Sequence, residues 1–149
     1  MIILLTGKSG SGKTTLGKAI CERVENSCLL DGDDLRATVD KDLGFTKEDI
    51  AERCRRVGKY ARFRESMGSS LVVITIIAPL LEPRLELKRR HNVIDFLIEQ
   101  SGVEERDAKG LYKSGKAMPY EKGEHDFVVC VDGKTVSQCA DYILEVLGF

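Results

Sequence analysis

The sequence predicts a three-layer α/β fold, a parallel sheet with helices on both faces, and three observations carry that expectation. Five apolar runs of strand length alternate with segments of helical periodicity, as repeated strand–helix crossovers require. The first run, Met1 to Thr6, is apolar almost throughout, as in a strand buried on both faces. It passes directly into a glycine-rich loop at Gly7 to Thr14, which in turn opens a helical segment. The 149 residues suit one domain, taken as residues 1–149.

After the loop, a helix is expected from Lys13 to Glu25 and a second strand from Ser27 to Leu30. That strand ends in the acids Asp31, Asp33 and Asp34, ahead of a short helix over Leu35 to Val39. Thr46 reads as the N-cap of a long helix, with Glu48 and Asp49 in its first turn. Its positions Ile50, Cys54, Val57 and Ala61 form one apolar face, and Gly68 closes it. Leu71 to Ile77 is the strongest strand, stopped by Pro79. A helix over Leu81 to Arg90, a strand over Val93 to Ile98 and a helical, lid-like stretch over Val103 to Tyr112 follow. Phe127 to Val131 and Thr135 to Leu147 make the last strand and helix. Ser114 to Glu124, rich in Gly, Lys and Glu, is expected to be a mobile loop.

Composition removes several function classes. Hydrophobic residues make up 42% and charged residues 32%, and the net charge of -1 disfavours a generally basic nucleic-acid binder. Five cysteines without a CxxC pair, and only two histidines, favour reduced thiols over a zinc or disulfide framework. The N-terminal apolar run is too short for a signal peptide or a membrane span, so a cytoplasmic location is expected. The basic runs Arg53 to Arg64 and Arg84 to His91 read as solvated helix faces.

The spacing Gly7-x4-Gly12-Lys13-Thr14 is that of a P-loop. Glycines let backbone N–H groups turn inward around anionic phosphates, and the following helix offers its positive end. Gly7, Ser9, Gly10, Ser11, Gly12, Lys13, Thr14 and Thr15 are therefore the candidate ATP-binding residues. Lys13 can neutralise β- and γ-phosphate oxygens, and the Thr14 hydroxyl can ligate Mg²⁺.

No Asn-Lys-x-Asp motif marks a guanine-nucleotide switch, and the strongest strand ends without the acid of a motor ATPase. The acids follow the second strand instead, at the sheet edge where ligands collect. There a carboxylate can accept a hydroxyl proton or hold Mg²⁺, which favours a kinase and makes Asp31 and Asp33 candidate catalytic residues.

In order along the chain, Gly7 to Thr14, Leu30-Asp31-Gly32-Asp33, Arg36, Asp42-Leu43-Gly44-Phe45, Glu52, Arg55 to Gly58, Ile77 with Pro79, Arg106-Asp107, Lys109 to Lys113 and Pro119-Tyr120-Glu121 resemble adenylylsulfate kinase. The resemblance implies a P-loop fold with strand order 2-3-1-4-5 and commonly a homodimer. It implies transfer of the ATP γ-phosphate, with Mg²⁺, to the 3′-hydroxyl of adenosine 5′-phosphosulfate in sulfate assimilation. It places Asp31 and Asp33 near Mg²⁺ and the accepting hydroxyl, with Asp31 beside Thr14 as metal ligand. Arg36 would meet the acceptor's anionic part, Phe45 would stack on its adenine, Ile77 would line its site, and Arg106 and Lys109 would join the lid near ATP.

The chain departs from the family pattern at several positions. Ala78 replaces a serine sometimes assigned as a phosphorylated intermediate, so transfer is expected to be direct and in line. Ile50 replaces a substrate-holding arginine and Arg53 a nearby asparagine, which would partly restore the charge. A Phe-Thr-Gly-Ile-Asp stretch before Pro119 is missing, and with it the second face of an adenine sandwich; Met118 and Tyr120 are the residues left to replace it. The residues thus admit three readings: an adenylylsulfate kinase, a P-loop kinase for another nucleotide, sugar or nucleic-acid hydroxyl, and a non-catalytic ATP-binding relative.

Overall fold

The computed structural model describes residues 1–106, 110–111, 113–115 and 118–149. Five strands, β1 (Ile2–Thr6), β2 (Ser27–Asp31), β3 (Leu71–Thr75), β4 (Val93–Glu99) and β5 (Phe127–Cys130), form a parallel sheet in the order β2-β3-β1-β4-β5. This is the order the resemblance implies. Central β1 pairs with β3 on one side (Leu4 with Ile74) and β4 on the other (Leu4 with Asp95).

Strand alternation sends neighbouring side chains of β1 into two different cores. Ile3 and Leu5 pack with Leu16 and Ile20 of α1 (Lys13–Cys21) and Ala140 and Ile143 of α6 (Val136–Leu147). Ile2 and Leu4 pack with Cys54, Val57 and Ala61 of α3 (Lys47–Ser66) and Leu87 of α4 (Leu81–His91). All four β1 side chains are buried, each gaining roughly 1.5–3 kcal/mol over exposure. The continuous apolar run at the N-terminus follows from having a helical layer on each side. Short helices α2 (Gly32–Ala37) and α5 (Val103–Arg106) sit at the carboxyl ends of the strands.

Helix α1, strand β3 and helix α2 have boundaries two or more residues from expectation. Helix α1 stops at Cys21, because Ser27 Oγ donates to its last carbonyl and Asn26, at φ 57°, turns the chain into β2. Strand β3 ends at Thr75, where its pairing with Leu5 and Asp31 ends, and the left-handed Ala78 (φ 46°) then redirects the backbone. Helix α2 begins at Gly32 and ends at Ala37, because Asp31 itself is the N-cap and accepts from the Asp33 amide.

Two larger corrections concern the basic run on α4 and the expected mobile loop. Arg84 is fully buried. Its guanidinium donates to Ala78 O (2.7 Å), Glu121 O (2.6 Å) and Gly123 O (3.4 Å), and it lies over the Tyr120 ring at 5.1 Å. Lys88 binds Asp95, Asp126 and the Glu124 carbonyl. The Glu121 amide and carboxylate add bonds to Pro79 O and the Leu81 amide. Residues 119–126 are thus strapped to α4 by two cations taken from a run read as solvated.

Candidate active site

The phosphate loop connects β1 to α1 at the carboxyl edge of the sheet, beside the point where strand order reverses. A Cβ on Gly7 would lie 2.4 Å from Ile98 O at φ 145°, so only glycine fits. Gly10 and Gly12 also take positive φ, which turns loop amides inward, and Ser9 and Ser11 are buried within it. Lys13 folds back across the loop, its Nζ donating to Gly7 O (2.9 Å), Lys8 O (2.8 Å) and Ser11 Oγ (3.3 Å). Thr15 is exposed on the wall of a cavity of about 780 Å³ that the loop borders.

The two carboxylates have different surroundings. Asp31 is 6% exposed; its Oδ1 accepts from Thr14 Oγ1 (2.6 Å) and Thr75 Oγ1 (2.7 Å), and its Oδ2 from the Asp33 amide (3.2 Å). Burial alone would raise its pKa, but these donors outweigh it and hold the carboxyl below the usual range. Asp33, two residues further, lies at the cavity with its side chain 52% exposed and Arg36 Nη1 3.9 Å away. Thr75 is a site residue that sequence reading missed; a threonine ending an apolar strand carries no local signal.

Arg36, Phe45, Arg53 and Ile77 line the same cavity, as does Ile50. Phe45 is held by the start of α3: Thr46 caps the helix, Asp49 accepts from the Gly44 amide, and Arg53 Nη2 donates to Gly44 O. Arg56 reinforces this turn through a bidentate pair with Asp42, whose carboxyl it holds down at about 2. Arg36 lies 4.6 Å over the Phe45 ring. Arg36 Nε and Arg53 Nε are both buried without a hydrogen-bond partner, and Arg53 has no carboxylate partner among the described residues. Burial first, then the Arg36 charge, lowers the pKa of Arg53. Two cations side by side, of which Arg36 is met by Asp33 only at 3.9 Å, suit an anion.

Met118, Pro119 and Tyr120 complete the wall where the aromatic segment is missing. The Tyr120 hydroxyl lies 2.8 Å from Thr6 Oγ1 and 3.4 Å from His125 Nε2. Ala78, at the family's serine position, is buried and offers its carbonyl to Arg84. Arg106 ends α5, and Lys109 lies outside the described residues.

A phosphate loop facing carboxylates and arginines across one cavity, on a 2-3-1-4-5 parallel sheet, defines a P-loop kinase. Residues 1–124 match the family described as adenylylsulphate kinase. An adenylyl-sulfate kinase of Synechococcus sp. (strain JA-3-3Ab) is 32% identical over 163 residues, covering 97% of this chain and 92% of its own. The chain belongs to the adenylylsulphate kinase family. An adenylyl-sulfate kinase of Clostridium acetobutylicum is 34% identical over 167 residues, covering 98% of this chain and 82% of its own. Among solved structures, the Mycobacterium tuberculosis APS kinase CysC, in complex with AMPPNP and APS, superposes with a TM-score of 0.84 at 25% identity, covering 99% of this chain and 96% of its own. Among the described residues no helix is long and apolar enough to cross a membrane.

Proposed function

We propose that this protein transfers the γ-phosphoryl group of ATP to the 3′-hydroxyl of adenosine 5′-phosphosulfate, the phosphorylation step of sulfate assimilation. The observation that carries the acceptor side is the pair Arg36 and Arg53, each with an orphaned buried Nε, beside Phe45 in the cavity that also holds Lys13 and Asp33. A nucleotide with an anionic 5′ group matches that wall: the ring offers a stacking face and the guanidiniums a charge clamp.

The roles divide by environment. Lys13 leaves its loop carbonyls for the β- and γ-phosphate oxygens, and the loop amides hold the same charge. Asp33, at the cavity, takes the proton of the acceptor hydroxyl as that oxygen bonds to the γ-phosphorus and the bond to the bridging oxygen breaks, releasing ADP. Asp31 is already engaged by two hydroxyls and an amide, so it positions rather than accepts the proton. Thr14 Oγ1 and Asp31 Oδ1, 2.6 Å apart, are hard oxygen donors that fit Mg²⁺, which would neutralise charge on the phosphates. With Ala78 there is no hydroxyl to carry phosphate, which supports direct transfer.

The test is a coupled assay with ATP, Mg²⁺ and adenosine 5′-phosphosulfate; the expected result is turnover, and its absence would remove this reading. Arg53→Leu is expected to raise the acceptor KM roughly ten- to a hundredfold, the worth of one charge-assisted hydrogen bond, with the ATP KM unchanged. An unchanged acceptor KM would show that Arg53 does not touch the acceptor.

Ile50 on the cavity wall and Met118 in place of an aromatic favour a second reading, another hydroxyl acceptor. Screening nucleotides and sugars with labelled ATP decides, since activity confined to adenosine 5′-phosphosulfate excludes it. A homodimer, the family's common state, is supported by the exposed Phe63 and Met67 at the end of α3, and light scattering tests it.

A further inference from the structure

Asp95 stands where the strand pattern asks for an apolar side chain. It alternates in phase with Val93 on β4 and pairs across to Leu4, both members of the apolar layer under α3 and α4, yet it is fully buried. A buried ion pair is a poor means of gaining stability compared with a packed apolar residue, so its presence asks for another explanation. The partners supply one. Asp95 Oδ1 accepts from Lys88 Nζ (2.6 Å) and the Asp126 amide (2.9 Å), and Asp126 accepts in return from the Asp95 amide (2.9 Å). Asp95 Oδ2 faces His125 Nδ1 at 2.6 Å. A carboxylate only accepts, so Nδ1 carries the proton and the imidazole is locked in one orientation.

That orientation turns the other edge of the ring toward Tyr120. The rings lie 16° from parallel with centroids 6.0 Å apart, and Nε2 is 3.4 Å from the Tyr120 hydroxyl. Arg84 covers the ring as well, at 5.1 Å. Thr6, which immediately precedes Gly7, donates its single hydrogen to Ile77 O (2.6 Å), so the Tyr120 hydroxyl donates to Thr6 Oγ1 (2.8 Å) and accepts from His125 Nε2 when the imidazole carries both protons. Tyr120 therefore joins the acceptor cavity to the root of the phosphate loop, and the chain Asp95–His125–Tyr120–Thr6 runs from the core to the site.

We propose that His125 is a positioning residue for the acceptor site: braced by Asp95, it holds Tyr120 against Thr6 and so sets the cavity wall relative to the phosphate loop. The claim rests on the kinase reading above. In the absence of the family's aromatic segment, this braced wall takes over the alignment of the acceptor.

The experiment compares His125→Gln, Tyr120→Phe and the double variant. His125→Gln leaves Asp95 with Lys88 and the Asp126 amide, so the fold is expected to persist. Each single variant is expected to raise the acceptor KM roughly three- to tenfold, the worth of one net hydrogen bond, with the ATP KM unchanged. The double variant is expected to be no worse than Tyr120→Phe alone, because the brace acts only through the Tyr120 hydroxyl. An unchanged acceptor KM in folded His125→Gln, or penalties that multiply in the double variant, overturns the proposal.

A second arm needs no turnover. The chain has two histidines, so the His125 ring signals can be followed by NMR through a pH titration. Asp95, Asp126, Lys88, Arg84 and Tyr120 surround that ring. Tyr120→Phe is expected to shift the His125 titration and leave that of His91 in place; no shift overturns the proposal. If the wild-type protein fails to phosphorylate adenosine 5′-phosphosulfate, the kinase reading is what falls, and this arm alone then decides whether His125 braces Tyr120.

Discussion

Lys13→Ala is expected to lower phosphoryl transfer by about 10²–10³-fold, the cost of removing one preorganised donor from developing charge. In the free protein the ammonium is already within the loop, bound to two carbonyls and the Ser11 hydroxyl, so it moves only a short way to meet phosphate oxygens. Little reorganisation is then needed at the moment of reaction. The variant is expected to fold, because Lys13 belongs to neither apolar layer. Turnover in the coupled assay, with calorimetry of Mg·ATP binding, checks both halves. Activity within tenfold of wild type would mean that phosphate charge is met elsewhere.

Asp33→Asn is expected to lower kcat by about 10²–10⁴-fold, the range for loss of a general base, with both KM values little altered. The side chain is half exposed at the cavity, so the substitution leaves the packing intact and no change in melting temperature is expected. Asp31→Asn should behave differently. Its amide would turn a donor toward the Asp33 N–H that now caps α2, so roughly 1 kcal/mol of capping is lost together with activity. Thermal denaturation beside steady-state kinetics separates the two positions. A stable, fully active Asp33→Asn would reverse the assignment of the base.

Much of the site was legible before any coordinates. The loop, the acid turn and the Gly44-Phe45 turn each lie within a few residues, and the backbone conformations they need depend on local residue types. Glycines at positions 7, 10 and 12 announce positive φ, and Asp31 before a short helix announces a cap. Arg53 was readable as a compensation for Ile50, and both line the cavity. Arg84 and Lys88 were misread because a cation on a helix looks the same in sequence whether it meets water or a buried carbonyl. Within the Ser114 to Glu124 stretch expected to be mobile, residues 119–124 were misread for the same reason: glycine, lysine and glutamate suggest mobility unless a partner far away in the chain holds them.

The sequence by itself determined the parallel sheet, the phosphate loop and the class of chemistry, because strand burial and loop curvature are set by residues close together along the chain. Only the tertiary structure decided which carboxylate is saturated, that Arg53 is buried with no carboxylate partner among the described residues, and that His125 and Tyr120 connect β4 to the loop. Those properties depend on desolvation and on donors contributed from tens of residues away, and no local pattern encodes them.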